Sequence, residues 1–251
     1  MNPKGRRTSP SGRPARIVAD VIRGYSAEQI RAAEAPHLAA GEPLMAIAAA
    51  GLARVIRDEL ATLGVPPAEA NVLLLVGSGN NGGDALFAGA ELAASGCRVL
   101  VAELGSRTHE AGLAAALRAG ARTVDPGDGA VVAVLDTATG AHVIVDGILG
   151  TGAYRSPALR GIAREVVAAL QPLASAPGHR VVAVDLPSGV DPDTGAVPDG
   201  VVLRADATAT FGAHKAGLLR QPASSYAGRL VLVDIGLGPD LEAVEPLVVI
   251  P

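Results

Sequence analysis

Short apolar runs alternate with longer amphipathic stretches from residue 72 onward. The apolar runs predict buried strands at Val72–Val76, Val99–Ala102, Val143–Asp146, Val181–Asp185, Ala207–Phe211 and Leu230–Asp234. Apolar residues at helical spacing predict helices between several of them, at Asp84–Ser95, His109–Ala119 and Leu159–Leu170. The segment Ala130–Thr139 fits either period, and we favour a helix there. This alternation predicts a three-layer α/β/α fold, a mostly parallel sheet with helices on both faces.

Two further helices are predicted before the first of these strands. Ser26 is a suitable N-cap for a helix over Ala27–Ala35, and Pro36 is expected to end that helix. A longer helix follows the turn at residues 41–43 and keeps an apolar face at helical spacing as far as Gly64. We expect both helices to pack on one face of the sheet or to contact a second subunit.

Length, composition and charge limit the classes of protein to which this chain can belong. With 251 residues, 49% of them hydrophobic, the chain has the size of one domain, which we place at residues 17–251 after a disordered basic tail at residues 1–16. No apolar run reaches the roughly 20 residues of a membrane span. A net charge of -4 and an aromatic content of 2% argue against nucleic-acid binding. The single Cys97 excludes an internal disulfide and favours a reducing compartment. With no apolar run of membrane length, we expect a soluble, cytoplasmic protein, and an organellar transit peptide in the basic tail is the alternative.

The most informative stretch is Val72–Asp84, in which a predicted strand runs into four glycines and a predicted helix start. The letters Gly77-x-Gly79-x-x-Gly82 spell a dinucleotide-binding fingerprint, and Glu103 lies at the end of the next predicted strand. This pattern favours a pyrophosphate on the helix N-terminus, where we expect Asp84 to cap the helix.

The polar residues of the same loop favour a different ligand. Asn80 and Asn81 stand where a pyrophosphate clamp prefers small apolar neighbours, and the charge of Asp84 would repel a phosphate. These three side chains indicate a polar cage for hydroxyls, amides or a cation. A third reading is structural only, namely that the glycines make a tight turn.

Three other predicted strands end in charged residues. In open parallel sheets ligands bind beyond the carboxyl ends of the strands, so Asp146, Asp185 and Lys215 are expected at the rim that holds the glycine loop. Asp146 also suits a simple turn cap. Asp185 precedes Pro187, Ser188 and Gly189, a rigid turn with a hydroxyl, which favours acid–base catalysis. Lys215 is one of two lysines in a chain that otherwise uses arginine, and an ammonium group is therefore expected there.

Oxygen ligands without histidine or cysteine suit a hard cation. Asn81, Asp146 and Ser188 would supply a carboxamide, one full negative charge and a hydroxyl. Together with backbone carbonyls, this set resembles a site for a large monovalent ion more than a magnesium site.

Four spaced motifs carry a family resemblance: Gly77-Ser-Gly-Asn-Asn-Gly-Gly-Asp84, Asp146-Gly-Ile-Leu-Gly-Thr-Gly152, Asp185-Leu-Pro-Ser-Gly189 with Asp193-Thr-Gly195, and Thr210-Phe-Gly-Ala-His-Lys215. From about Ser26 to Gly238 the chain resembles the NAD(P)H-hydrate epimerases, also called the YjeF N-terminal domain family. The resemblance implies a Rossmann-like sheet, usually in a homodimer. It also implies an enzyme that interconverts the R and S forms of NADH or NADPH hydrated at C6 of the nicotinamide ring.

The resemblance also implies a cofactor and site residues. A potassium ion would be held by Asn81, Asp146 and Ser188. Asp185 and Lys215 would be catalytic, with Asp185 acting as acid and base in turn. The hydrated NADH or NADPH substrate would be contacted by Asn80, Asn81, Gly82, Gly83, Asp84, Gly150, Thr151, Gly152, Ala153, Tyr154, Arg155, Ser156 and Asp185.

Two features depart from the family pattern. Members commonly carry a polar residue after the Leu-Met pair of the second helix, where this chain has Leu44-Met45-Ala46. Many bacterial members continue into an ADP- or ATP-dependent dehydratase, whereas this sequence stops at Pro251, so a separate dehydratase partner is one interpretation. A nicotinamide-dependent dehydrogenase and a noncatalytic nucleotide-binding or scaffold protein remain the alternative functions.

Overall fold

The computed structural model describes residues 21–125, 129–153 and 156–251. Its ten strands in these ranges are β1 Ile22–Tyr25, β2 Asn71–Val76, β3 Arg98–Glu103, β4 Arg122–Thr123, β5 Val143–Gly147, β6 Arg180–Val184, β7 Ala207–Phe211, β8 His214–Lys215, β9 Arg229–Val233 and β10 Val248–Ile250. The α-helices are α1 Ala27–Ala39, α2 Leu44–Thr62, α3 Asn80–Ala94, α4 Glu110–Arg118, α5 Ala130–Thr139, α6 Gly161–Leu170 and α7 Gly238–Leu241. All six strands and the helix at Ala130–Thr139 predicted from the sequence are confirmed.

Seven strands form one parallel sheet in the order β4-β3-β2-β5-β6-β7-β9. Strands β3 and β4 follow β2 on one side of it. The chain then crosses to the other side of β2, where β5, β6, β7 and β9 lie in sequence order. This reversal between β2 and β5 opens a crevice at the carboxyl ends of the two strands, which is where ligands bind in open α/β sheets.

Side chains of the central strand alternate between two cores. Val72, Leu74 and Val76 belong to the core beneath α1, α2 and α3. Leu73 and Leu75 belong to the core on the other face, beneath α5 and α6. The strand is buried on both faces because helices cover both sides of the sheet, and the predicted three-layer α/β/α fold is confirmed.

A second, three-stranded sheet joins distant parts of the chain in the order β10-β1-β8. Strand β1 pairs in antiparallel fashion with β10 and in parallel with β8, where Tyr25 is the register partner of Lys215. These short strands were not predicted, because their pairing depends on tertiary contacts rather than on local apolar pattern.

Two predicted helix boundaries are wrong. Helix α1 is capped by Ser26 through a capping box with Gln29, as expected, but it continues through Pro36 to Ala39. A proline inside a helix removes the hydrogen bond to the carbonyl four residues earlier. That carbonyl belongs to Ala32, an exposed residue, so water can satisfy it.

Helix α3 begins at Asn80 with Gly79 as N-cap, and no side chain caps it. Asp84 therefore lies inside the helix, and its predicted role as a helix cap is wrong. The carboxylate is buried in the protein instead of facing the free N–H groups of the first turn.

Some sequence predictions lie outside the described residues. These are the disordered tail at residues 1–16 and the substrate contacts Tyr154 and Arg155. In the described ranges no single helix is long and apolar enough to cross a membrane, although α1 and α2 together pass that test as a pair bent by 119°.

Candidate active site

The glycine loop allows close contact between two neighbouring strand ends. A side chain at Gly77 would overlap the carbonyl oxygen of Ile148, just after β5. Likewise, a side chain at Gly150 would overlap the carboxamide of Asn81 on α3. Among the described residues, nothing lies within 4 Å of the position that a Gly79 side chain would occupy. Gly77 and Gly150 thus let the loops after β2 and β5 pack together, whereas Gly79 faces open space.

The three predicted cation ligands lie in one buried network. Ser188 donates its hydroxyl to Asp146 Oδ1 at 2.6 Å and its backbone N–H to Oδ2 at 2.8 Å. Asn81 Nδ2 donates to the carbonyl oxygens of Val184 at 2.6 Å and Leu149 at 3.2 Å. The Leu149 N–H donates to Ser188 Oγ at 2.8 Å. The structure therefore brings Asn81, Asp146 and Ser188 together through the backbone of Leu149.

The Asp146 carboxylate is fully buried. In the part of the chain that the structure describes, its hydrogen-bond donors are Ser188 and Ile148, and no basic side chain pairs with it. Burial raises the pKa of Asp146, while these hydrogen bonds act in the opposite direction. A buried carboxylate surrounded by oxygen atoms and lacking a basic partner is the donor set that a cation would complete.

Asp185 follows β6 in a left-handed backbone conformation, with φ of 68°. Such a conformation costs on the order of 1 kcal/mol or more in a residue other than glycine, and it occurs often at functional sites. The Asp185 N–H donates to the Ala209 carbonyl at 2.8 Å. Its carboxylate Oδ1 accepts from the Phe211 N–H at 3.2 Å and from Lys215 Nζ. The turn thus fixes the carboxylate beside the end of β7.

Lys215 is almost completely buried, with 1% of its surface exposed. Besides Asp185, its ammonium group donates to Thr210 Oγ1 at 3.1 Å and to the Phe211 carbonyl at 2.8 Å. A lysine has three N–H donors, and all three are used here. The side chain is therefore held in one position by the strand end of β7 and by its carboxylate partner.

Two further carboxylates, Asp84 and Glu34, lie near this pair. Asp84 is buried, and its pKa is raised to about 8 by burial first, then by Asp185 and Glu34. Glu34 projects from α1, and burial also raises its pKa. Sequence reasoning missed Glu34, although it lies four residues after the buried Ile30 and therefore on the inner face of α1.

These residues line two adjoining cavities. The outer cleft has a volume of about 660 Å³ and the inner cavity about 130 Å³. Both are lined by Glu34, Asn80, Asn81 and Thr151. The other predicted contacts Gly150, Gly152, Ala153 and Ser156 line the outer cleft, whereas Asp84, Asp185 and Lys215 line the inner cavity.

Two predicted substrate contacts lie behind the cavity walls. A side chain at Gly82 would overlap the Gly77 carbonyl oxygen, and one at Gly83 would come within 3.0 Å of His109. Among the described residues neither glycine lines either cavity. In this structure they allow the start of α3 to pack against the glycine loop and α4.

The Asp193-Thr-Gly195 turn also lies away from the cavities and anchors α1. Asp191 Oδ1 accepts from the backbone N–H groups of Asp193 and Thr194. Arg220 donates to the Asp193 carbonyl oxygen at 2.9 Å. The Ala27 N–H, at the start of α1, donates to Asp193 Oδ1, so the turn supports the site through the position of α1 rather than by contact with the cavities.

Comparison with known proteins places the chain in a family. The model for the YjeF-related protein N-terminus matches residues 41–217. This chain belongs to that family. The predicted family resemblance is thereby confirmed, and all four motifs lie within the matched range.

Relatives in the YjeF-related family match nearly the whole chain. A protein named NAD(P)H-hydrate epimerase from Clavibacter michiganensis subsp. michiganensis is 53% identical over 92% of this chain and 96% of its own length. One of the same name from Microbacterium testaceum is 49% identical over 90% of this chain and 84% of its own length. A bifunctional NAD(P)H-hydrate repair enzyme from Mycobacterium tuberculosis is 42% identical over 85% of this chain and 41% of that enzyme.

A solved structure supports the fold. The crystal structure of yeast ynu0, YNL200c, superposes with a TM-score of 0.67, covering 84% of this chain and 87% of the yeast chain. With 19% sequence identity, this likeness concerns the arrangement of strands and helices.

Proposed function

We propose that this protein is an isomerase that interconverts the R and S forms of NADH or NADPH hydrated at C6 of the nicotinamide ring. The buried Asp185–Lys215 pair in the wall of a cavity at the β2/β5 reversal carries this proposal. The relatives named NAD(P)H-hydrate epimerase, 53% and 49% identical, support it.

The reaction needs both an acid and a base. Inversion at C6 requires the hydroxyl to leave with a proton and water to add to the opposite face of the ring with loss of a proton. Lys215 and the Phe211 N–H hold the Asp185 carboxylate in place, so it is suited to accept a proton from the incoming water. The carboxamides of Asn80 and Asn81, which line both cavities, are suited to bind the amide and hydroxyl groups of the substrate.

The two cavities fit a dinucleotide that enters by its nicotinamide end. The outer cleft, at about 660 Å³, lies within the usual range for small-molecule sites and is bordered by the open side of Gly79 and the start of α3. The nicotinamide ring would lie in the inner cavity beside Asp185, and the rest of the cofactor would extend through the outer cleft.

A potassium ion is the proposed cofactor, held by Asn81, Asp146 and Ser188. The buried Asp146 carboxylate supports this proposal, because one negative charge with neutral oxygens suits a monovalent cation. No group of three or more His, Cys, Asp or Glu residues suited to a metal occurs in the described ranges, so neutral oxygens would complete the coordination. The ion would neutralise Asp146 and fix the distance between the loops after β2, β5 and β6.

The proposed enzyme would work in the cytoplasm as a homodimer, alongside an ADP- or ATP-dependent dehydratase that consumes one of the two epimers. The bifunctional repair enzyme from Mycobacterium tuberculosis supports the coupling to a second activity. Light scattering of the purified protein tests the dimer, with the mass of two chains as the expected result.

The proposed function is tested by following the two epimers of hydrated NADH and NADPH by chromatography, in potassium buffer, with and without protein. We expect the protein to bring a sample enriched in one epimer to equilibrium faster than the spontaneous reaction. Equal rates with and without folded protein would overturn the proposal. Oxidation of intact NADH by a carbonyl compound would favour a dehydrogenase instead.

A further inference from the structure

Asp84 is a buried carboxylate that the mechanism above leaves without a role. It is 6% exposed, lines the inner cavity and sits one turn into α3. Among the described residues, the structure shows no hydrogen bond or ion pair to its carboxylate, whereas Asp185 accepts from both Lys215 and the Phe211 N–H. An unpartnered carboxylate that faces a cavity is available to a ligand.

The cavity around Asp84 is lined by hydrophobic side chains, by the polar residues Asn80, Asn81 and Thr151, and by three charged groups. Helices α1 and α2 contribute hydrophobic side chains to the cavity, namely Ile30, Leu38, Leu44, Met45 and Ala48. The charged groups are Glu34 from α1, Asp185 after β6 and Lys215 of β8. His109, the N-cap of α4, lies against Gly83 and is not among the residues that line the cavity.

This environment favours the protonated form of Asp84. Burial among apolar side chains raises its pKa most, the negative charges of Asp185 and Glu34 raise it further, and Lys215 partly offsets them. Asp185 is in the opposite situation, because its carboxylate bonds directly to the ammonium group. One cavity thus holds an unpartnered carboxylate whose pKa is raised and a second carboxylate bonded to an ammonium group, which gives an acid and a base different surroundings.

We propose that Asp84 donates the proton to the leaving C6 hydroxyl and that Asp185 accepts the proton of the incoming water, with Glu34 as a positioning residue that keeps the proton on Asp84. This inference rests on the proposed epimerase function and replaces the expectation that Asp185 serves as acid and base in turn. It also gives a role to the apolar second helix, since Met45 and Ala48 help to exclude water from Asp84.

The proposed reaction balances in protons and electrons. The Asp84 proton moves to the oxygen on C6. The C–O bond then breaks, its electron pair stays on the oxygen, and the oxygen leaves as water. The lone pair of the ring nitrogen stabilises the positive charge on C6. A water molecule then forms a C–O bond on the opposite face and gives its proton to Asp185. Exchange with solvent returns a proton to Asp84 and removes one from Asp185. The reverse reaction uses the same steps in the opposite order.

Glu34 acts through charge. It reaches the wall of both cavities, and its charge adds to that of Asp185 in opposing ionisation of Asp84. Replacing Glu34 with glutamine keeps the shape of the side chain and removes the charge. Asp84 would then lose its proton at a lower pH, and activity would fall at a lower pH on the alkaline side.

The experiment measures kcat/KM for epimerisation from pH 5 to 10 for four proteins: wild type, Asp84→Asn, Glu34→Gln and Glu91→Gln. Glu91 is an exposed carboxylate on α3, the helix that carries Asp84. It is paired with Arg57 and serves as the matched control. Spontaneous epimerisation is subtracted at each pH, and each series is run at two potassium concentrations so that changes in ion binding are recognised.

We expect Asp84→Asn to lose about a hundredfold or more in kcat/KM, the usual contribution of a general acid. In Glu34→Gln, we expect the alkaline limb of the profile to move down by about half a pH unit or more, as removal of a nearby like charge predicts. Glu91→Gln should match wild type.

Activity of Asp84→Asn within about threefold of wild type would overturn the assignment of the acid, since a general acid contributes far more than that. An unchanged alkaline limb in folded Glu34→Gln would overturn the role of Glu34, and this variant keeps the inference testable if Asp84→Asn does not fold. An inactive wild-type protein would instead overturn the proposed function on which the inference rests.

Discussion

The carboxylate of Asp193 accepts a hydrogen bond of 2.7 Å from the backbone N–H of Ala27, at the start of α1. The first N–H groups of a helix have no partner within the helix, and Ser26 satisfies only one of them, at Gln29. Asp193 therefore completes the cap from a distant turn and fixes the end of the helix that carries Glu34 to the cavity.

Asp193→Ala should loosen α1 without touching the cavity walls. Loss of a helix cap costs about 0.5–2 kcal/mol, so we expect a lower melting temperature and a higher KM for the substrate. Thermal unfolding and steady-state kinetics measure these two effects. Asp58→Ala, which removes an exposed carboxylate on α2, is the control and should change neither. A wild-type melting temperature for Asp193→Ala would contradict the capping role.

Asp185→Asn should keep the fold and remove most of the activity. The amide oxygen can still accept from Lys215 and the Phe211 N–H, but it cannot take up a proton. We expect kcat to fall by about a hundredfold or more, the usual contribution of acid–base catalysis. Circular dichroism checks the fold. Turnover close to that of wild type in a folded variant would exclude Asp185 as a catalytic residue.

Asp146→Ala should abolish the dependence of stability on potassium. An ion that binds the native state stabilises it by mass action, so wild-type protein should melt at a higher temperature in potassium than in a bulky organic cation. In Asp146→Ala we expect this difference in melting temperature to vanish and substrate binding to weaken. Equal melting temperatures for wild-type protein in the two buffers would exclude a potassium site at Asn81, Asp146 and Ser188.

Alanine at Gly77 and at Gly79 should have different effects. A Gly77 side chain would overlap the Ile148 carbonyl oxygen, and overpacking of this kind costs about 1–3 kcal/mol or more. The space beside Gly79 is open among the described residues, so Gly79→Ala should fold normally and raise only KM. Denaturant unfolding and kinetics distinguish the two variants. Similar stability of both would show that the contact between the loops is loose.

Asp84 should make the wild-type protein less stable as the pH rises. The folded state holds its proton up to about pH 8, whereas the carboxyl group ordinarily ionises near 3.8. Between these values the folded state binds more protons than the unfolded state, so stability falls with rising pH. Asp84→Asn removes this effect and should gain in melting temperature relative to wild type from pH 5 to pH 8. A constant difference between the two proteins across this range would contradict the raised pKa.

The strands of the main sheet could be predicted because each is an apolar run bounded by glycine or charged residues. The start of α3 could not, because Asn80, Asn81, Gly82 and Gly83 are weak helix formers. This first turn forms in the folded protein because it is packed between the glycine loop, α4 and β5. Tertiary contacts thus override local preference at the functional loop.

The strand ends at Asp146, Asp185 and Lys215 could be predicted to converge from the topology of a parallel sheet alone. Glu34 could not, because α1 precedes the sheet and nothing local shows which of its faces covers the cavity. The available signal was the spacing of Glu34 from the buried residues Ala27 and Ile30, because this spacing places the Glu34 carboxylate on the inward face of the helix.

The pairing of β1 with β8 has a consequence for the order of folding. Tyr25 and Lys215 are register partners although they lie far apart in the sequence, and β10 completes the same small sheet. Contacts between distant parts of a sequence form late, because the entropy of closing a long loop must first be overcome. The core strand β2 and its neighbours can therefore assemble while Lys215 still lacks its backbone partner. During synthesis, the lysine that pairs with Asp185 acquires its final position only after nearly all of the described chain has left the ribosome.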